Sequence, residues 1–178
     1  MNLKIVFENN YITLTHFDKE YEFLEYLNSC NTTLILNTDD YYADTYDVIT
    51  VYSGEKFGIG LSYDWQGLQP NLLFFSDQQK IICSFGNKIV GIDFEMKNII
   101  FRHTLNSIIV SIRHISKRHL IVIIHEMGVM VIHETGKIIW SCGGTDVIQE
   151  YKINDDSVYI LCEDGYDVTF SILDGRPI

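Results

Sequence analysis

The sequence predicts a mainly β protein of antiparallel meander repeats near 39 residues, propeller-like or stacked, with one N-terminal α-helix; α+β is the alternative class. Three observations carry that expectation. The chain aligns with itself, because "KIICSFGNKIVGIDFEMKNIIF" from Lys80, "HLIVIIHEMGVMVIHETGKIIW" from His119 and "SVYILCEDGYDVTFSILDGRPI" from Ser157 share a plan at steps of 39 and 38 residues. Val, Ile, Phe and Tyr dominate short runs bounded by turn residues, which is a strand and hairpin signature. A single window, residues 18 to 30, shows helical spacing instead.

At the start of the chain, "NLKIVF" and "YITLTH" read as strands. Asp18 is placed to cap the helix "KEYEFLEYLNSC", in which Tyr21, Leu24 and Leu27 follow Phe17 on the inward face while Glu20, Glu22 and Glu25 point away. Residues 33 to 79 read as a degenerate further unit with strands "TLIL", "DVITVY", "FGIGLSY" and "NLLFF". The three clear repeats span 80 to 118, 119 to 156 and 157 to 178, within one domain covering residues 1 to 178. Each holds three apolar runs separated by polar turns, and "NSIIVSIRHI" and "TDVIQEYKIN" supply a fourth strand to the first two. The run "LIVII" at 120 to 124 does not alternate, as expected of a strand covered on both faces. The third copy ends after three strands, so the N-terminal strands are candidates to complete it and close a ring; an open stack is the alternative.

A repeat of this size and strand number matches one propeller blade, which must stack on neighbours to bury its faces. The phrase "TGKIIW" at 135 to 140 resembles the repeats of quinoprotein-type propellers, with weaker echoes in "MKNIIF" and "DGRPI". The resemblance covers about half of the chain and implies a propeller-like body.

Charge is unevenly distributed. Residues 1 to 79 carry 3 basic and 12 acidic side chains, residues 80 to 142 carry 8 and 4, and residues 143 to 178 carry 2 and 8. No Lys or Arg lies between Lys19 and Lys56, where eight carboxylates occur. Such a field repels nucleic acid and membrane surfaces and attracts basic macromolecules. Cys30, Cys83, Cys142 and Cys162 lack metal-ligand or disulfide-framework spacing and read as reduced thiols. Without a leader-like start or a long uncharged apolar run, the expected location is the cytoplasm.

Candidate chemistry is sparse. His125 and His133 share strand parity but sit roughly 26 Å apart along an extended chain, too far to grip one ion. His114 and His119 flank the basic turn "ISKR", which is expected to join units and balance nearby acids rather than bind nucleic acid. There is no Gly-x-Ser-x-Gly elbow, and "FGIG" and "CGGT" read as tight turns or bulges rather than phosphate loops. Asp64 beside Trp65 is the most glycosidase-like spot, but a solvated loop with a core Trp is the simpler reading. No cofactor, metal, small-molecule substrate or enzymatic activity is expected.

What stands out is "NTDDYYADTYD", residues 37 to 47. Tyrosine offers contact area at low rotamer entropy, and aspartate beside it adds charge. Asp39, Asp40, Tyr41, Tyr42, Asp44, Tyr46 and Asp47, with Glu22 and Glu25, are therefore the candidate partner-binding residues. A small, acidic, strand-rich chain without a catalytic signature resembles the immunity proteins of bacterial toxin systems, including those of contact-dependent growth inhibition. The resemblance is one of type and transfers no motif. It implies a protein partner, a cognate basic toxin domain such as a nuclease, whose active site the chain covers. The competing readings are a propeller-like scaffold or sensor that binds a protein or peptide, and a carboxylate-dependent glycosidase-like enzyme.

Overall fold

The structure is a computed structural model that describes residues 3–7, 10–37 and 43–178. It is mostly β with one helix and several small sheets, and among the described residues no sheet closes into a barrel. Nor is any described helix long and apolar enough to cross a membrane. Internal contacts divide the chain into two compact units, one of Met1–Gln69, Phe74–Ile81 and Ile92–Ile99, the other of Pro70–Leu73, Ile82–Gly91 and Ile100–Ile178.

The first unit is built on β1 (Leu3–Phe7), β2 (Asn10–Phe17), the helix α1 (Glu20–Asn28), β3 (Thr32–Asn37), β4 (Thr45–Ser53) and β5 (Glu55–Tyr63). The strands form one sheet in the order β1-β2-β4-β5-β3, antiparallel except where β3 runs parallel to β5. The crossover through α1 makes that parallel pairing reachable. Alternate residues of a strand face opposite sides, so Val48, Thr50, Gly58 and Gly60 turn toward α1 while Ile49, Val51, Ile59 and Leu61 fill the other side, all fully buried.

The helix buries Phe23 and Leu27, one turn apart, whereas Tyr21 and Leu24 are exposed. This corrects the expected inward placement of Tyr21 and Leu24, whereas Leu27 is inward as expected. The cause is the pair of glycines in β5: a methyl group on Gly60 would lie 2.7 Å from Phe23 Cζ and 2.8 Å from Leu27, and one on Gly58 would lie 2.8 Å from Cys30 Sγ. The helix rests directly on bare backbone. "FGIG" is therefore the middle of a strand, not the turn or bulge expected. The N-cap is Lys19, in an extended conformation and without a side-chain cap. Asp18 instead lies 3.4 Å from His16 Nε2.

The repeats form three further sheets. The first is β6 (Asn71–Phe75), β7 (Lys80–Phe85), β8 (Lys88–Asp93) and β9 (Asn98–Thr104), and it contributes to both units. The second is β10 (Ile109–Ile115), β11 (Leu120–His125), β12 (Gly128–His133) and β13 (Ile138–Gly143). The third is β14 (Ile148–Ile153), β15 (Ser157–Cys162) and β16 (Asp167–Ser171). The repeat is thus framed one strand earlier than the sequence alignment suggests: β10 and β14 open the next sheet rather than close the previous one. The β10–β11 and β14–β15 ladders set that frame, and backbone bonds tie each sheet to the one before it. The N–H groups of Leu105 and Ile109 donate to the carbonyls of Asn87 and Gly86, at 2.8 and 2.9 Å. One repeat later those of Gly144 and Ile148 donate to Met127 and Glu126, at 2.7 and 2.8 Å.

The segment 33 to 79 is not one degenerate unit, because β3, β4 and β5 belong to the N-terminal sheet and β6 to the first repeat sheet. The N-terminal strands do not complete the third sheet, which stays three-stranded; β2 pairs instead with β4 from Tyr11↔Tyr52 to Phe17↔Tyr46.

A ring on a glycine recurs in the second unit. Phe101 of β9 lies against Gly136, and Trp140 of β13 lies against Gly175 while its Nε1–H donates to the Ile172 carbonyl at 2.7 Å. Both glycines are left-handed, at φ +88° and +69°, so neither position tolerates a side chain. β7 and β11 are buried along their whole length, as the non-alternating apolar run requires. β15 alternates, with Val158, Ile160 and Cys162 packed against Val122, Ile124 and Val131. All four cysteines are free, and burial pushes the Cys83 thiol up to about 12.

Gly60→Val forces two methyl groups into Phe23 and Leu27 and is expected to lower unfolding stability by roughly 1–3 kcal/mol. Urea denaturation followed by circular dichroism measures it.

Candidate functional site

The acidic tyrosine stretch divides by strand parity. Asp39, Asp40, Tyr41 and Tyr42 lie outside the described residues. Tyr46, on the helix side of β4, packs on Phe23 with ring centroids 5.3 Å apart and donates its hydroxyl to the Ala43 carbonyl at 2.8 Å. Burial, then the charges of Glu20 and Asp44, raise its pKa.

Asp47 points the other way and is buried. Tyr63 of β5 donates its hydroxyl to Asp47 Oδ2 at 2.5 Å, and His16 of β2 brings Nδ1 to within 3.2 Å of Oδ1. Burial, followed by this carboxylate's bond and charge, raises the Tyr63 pKa. The expected surface charge of Asp47 is an interior polar node, and a partner cannot touch it without opening the sheet.

Asp44 is exposed and does positional work. Its Oδ1 accepts from the Trp65 backbone N–H at 2.7 Å and from Thr45 Oγ1 at 2.8 Å. Those donors, the Trp65 amide first, hold the carboxyl below its ordinary range. Such bonds favour the ionised form. The tether brings the loop after β5 beside the acidic stretch. Every side chain from Asp64 to Gln69 is exposed, with Trp65 at 58% and Leu68 at 36%. This corrects the expectation that Trp65 is core. Trp65 is not among the expected partner-binding residues, although an aromatic between Asp64 and Gln66 before a glycine is a signal in the sequence for an exposed ring.

The outer face of α1 is of similar chemistry. Tyr21 is 60% exposed and donates its hydroxyl to Glu22 Oε1 at 2.9 Å; Leu24 and Glu25 are exposed beside it. Among the described residues no Lys or Arg forms an ion pair with Glu22, Glu25 or Asp44. One base from the middle of the chain does reach the acidic block: Lys97 Nζ lies 2.7 Å from Glu55 Oε2.

The other candidates fall elsewhere. The basic turn is balanced as expected, since Lys117 pairs with Asp155 at 2.9 Å and Arg118 pairs with Asp156. It joins β10 to β11 within one sheet rather than joining units. Its hydrogen bond to Lys117 lowers the Asp155 pKa and raises that of Lys117. His125 and His133 occupy opposite ends of the β11–β12 hairpin. Burial depresses the pKa of His125, whose Nδ1 lies 2.7 Å from Ser107 Oγ. His114 and His119 converge on the buried Glu134, at 2.5 and 3.3 Å. Among the described residues no group of three or more His, Cys, Asp or Glu is arranged to hold a metal ion.

No protein-family model matches the chain, and no curated protein matches it. Among solved structures it is similar to the crystal structure of the computationally designed Ika4 protein, at 12% identity and a TM-score of 0.48, over 78% of this chain and 89% of that one. Nothing about function follows from a likeness at that level.

The two aspartates are separable by stability. Asp47→Ala removes the buried carboxylate that accepts from the Tyr63 hydroxyl and is expected to cost about 1–3 kcal/mol. Asp44→Ala, at the surface, is expected to cost less than Asp47→Ala. Parallel urea titrations of the two variants check the difference.

Proposed function

We propose that this chain is an immunity protein, a cytoplasmic and non-enzymatic inhibitor that binds a cognate bacterial toxin domain and covers its active site. The toxin domain is basic, in keeping with a nuclease. One observation supports this reading above the others: the exposed Asp44 carboxylate holds the backbone of the loop that presents the exposed Trp65, and among the described residues no Lys or Arg pairs with Asp44. Aromatic anchors ringed by unpaired carboxylates suit a cleft lined by Lys, Arg and His, where charge steers encounter and the rings supply contact area. Asp39, Asp40, Tyr41, Tyr42, Asp44 and Trp65 are assigned to that surface, with Glu22 and Glu25 on the helix face as a second acidic area. Asp47 and Tyr46 are assigned to supporting it from within.

A second reading, a propeller-like scaffold that binds a peptide, also draws on the exposure of Trp65. The two differ in what the carboxylates do.

Under the immunity reading, association with the cognate toxin domain slows by about tenfold or more between low and high salt. Reversal of Asp39, Asp40 and Asp44 to Lys removes protection of toxin-expressing cells. Intact protection by that triple variant would overturn the role given to the carboxylates; absence of protection by the unaltered chain, with peptide binding that Trp65→Ala abolishes and the triple variant keeps, would favour the scaffold.

A further inference from the structure

The turns that close the second hairpin of each repeat hold a left-handed residue at matching places: Lys97 at φ 56°, Gly136 at 88° and Gly175 at 69°, successive steps of 39 residues. At Gly136 and Gly175 a ring, Phe101 or Trp140, lies on the turn. At Lys97 the turn borders a pocket of about 320 Å³, whose lining residues all belong to the first unit. Val51, Phe57 and Phe94 give it an apolar floor, and all three are buried. Glu55, Glu95 and Lys97 supply its charges.

A left-handed lysine is uncommon where sister turns use glycine. Its side chain is tied down, with Nζ 2.7 Å from Glu55 Oε2 and 3.4 Å from Thr32 Oγ1. That bond, with the lysine charge, lowers the Glu55 pKa, so Glu55 and Lys97 neutralise one another. Glu95 is left as the uncompensated charge at the mouth, exposed and without an ion pair to Lys or Arg among the described residues. An anion would meet two carboxylates here, and a neutral ring would desolvate Glu95 without replacing its hydrogen bonds. Arginine meets both demands, because its stem packs on apolar surface while its planar cation stacks on an aromatic face and pairs with a carboxylate.

We propose that this pocket, beside the first of the three left-handed turns, receives an arginine side chain presented by a protein partner. The identity of the partner as a basic toxin domain rests on the immunity reading; the preference of the pocket does not.

The test is a titration of the intact, isotope-labelled chain with N-acetyl-arginine methylamide, followed by amide chemical shifts, with the citrulline counterpart as the uncharged control. Saturable shifts at residues 51 to 57 and 94 to 97 are expected, at millimolar affinity for so small a probe. Glu95→Gln, whose melting temperature should be unchanged, is expected to weaken binding about threefold to fivefold, the usual scale of one exposed ion pair. Absence of saturable shifts there, equal binding of the citrulline compound, or an unaltered affinity in Glu95→Gln overturns the proposal. Because the probe is a small molecule, the two readings fail separately: a chain that binds it yet gives no protection overturns the toxin assignment alone, and protection without probe binding overturns the pocket alone.

Discussion

The repeat half of the molecule depends on one contact made twice, a ring lowered onto a glycine that has turned left-handed. Phe101 reaches Gly136 and Trp140 reaches Gly175, so the last strand of one sheet is joined to the closing turn of the next. A Cβ at either glycine would exclude the ring, and the backbone angle would itself resist an L side chain. Trp140 adds a bond to the Ile172 carbonyl, which satisfies a buried acceptor at the same joint. With the backbone clasps at Gly86–Asn87 and Glu126–Met127, this fixes the spacing at which sheets succeed one another. The full burial of β11 follows, because such a strand has no solvent face left to alternate toward.

The N-terminal unit uses glycine differently. Gly58 and Gly60 are ordinary strand positions whose missing side chains let α1 approach β5 closely. The close approach determines which helix residues are buried, and so which are left outside: Tyr21, Leu24 and Glu25 face away because Phe23 and Leu27 are needed inside. The acidic surface is in this sense a by-product of packing on the other side of the same helix. Asp44 and Asp47 make the point within three residues. One sits before β4 and organises a loop, the other sits within it and satisfies a buried tyrosine.

Much of the fold was legible in the sequence. Strand content, repeat length, the single helix and the doubly covered run at 120 to 124 all follow from apolar periodicity and turn residues. The frame of the repeat does not, since β10 has the same local pattern whichever neighbour it joins, and the choice is made by its antiparallel ladder with β11, from Ile109↔His125 to Ile115↔Leu120. The helix was legible but not its buried face, because "FGIG" looks like a turn until the strand on either side of it is known. The site was legible only as composition. Clustered aspartates do not disclose which of them is interior; Asp47 sits in the run "TYDVITVY", a strand pattern, but its partners His16 and Tyr63 are far off in sequence. Trp65 was assigned to the core on the general habit of tryptophan, and its exposure follows from the tether on Asp44.

The stack contains one substitution of character among near copies. Phe74 and Phe94 face each other across the first repeat sheet, ring centroids 5.7 Å apart. In the second sheet the matching places, just before the left-handed turn and where an amide donates back to it, hold His114 and Glu134. Sheets so alike risk exchanging places during folding or between molecules. A chain slipped by one repeat would seat the Glu134 carboxylate opposite Phe74 with His119 of its own hairpin but without His114, and losing one partner of a buried polar group costs about 1–3 kcal/mol. The polar pair thus gives the second sheet an address that the first cannot answer.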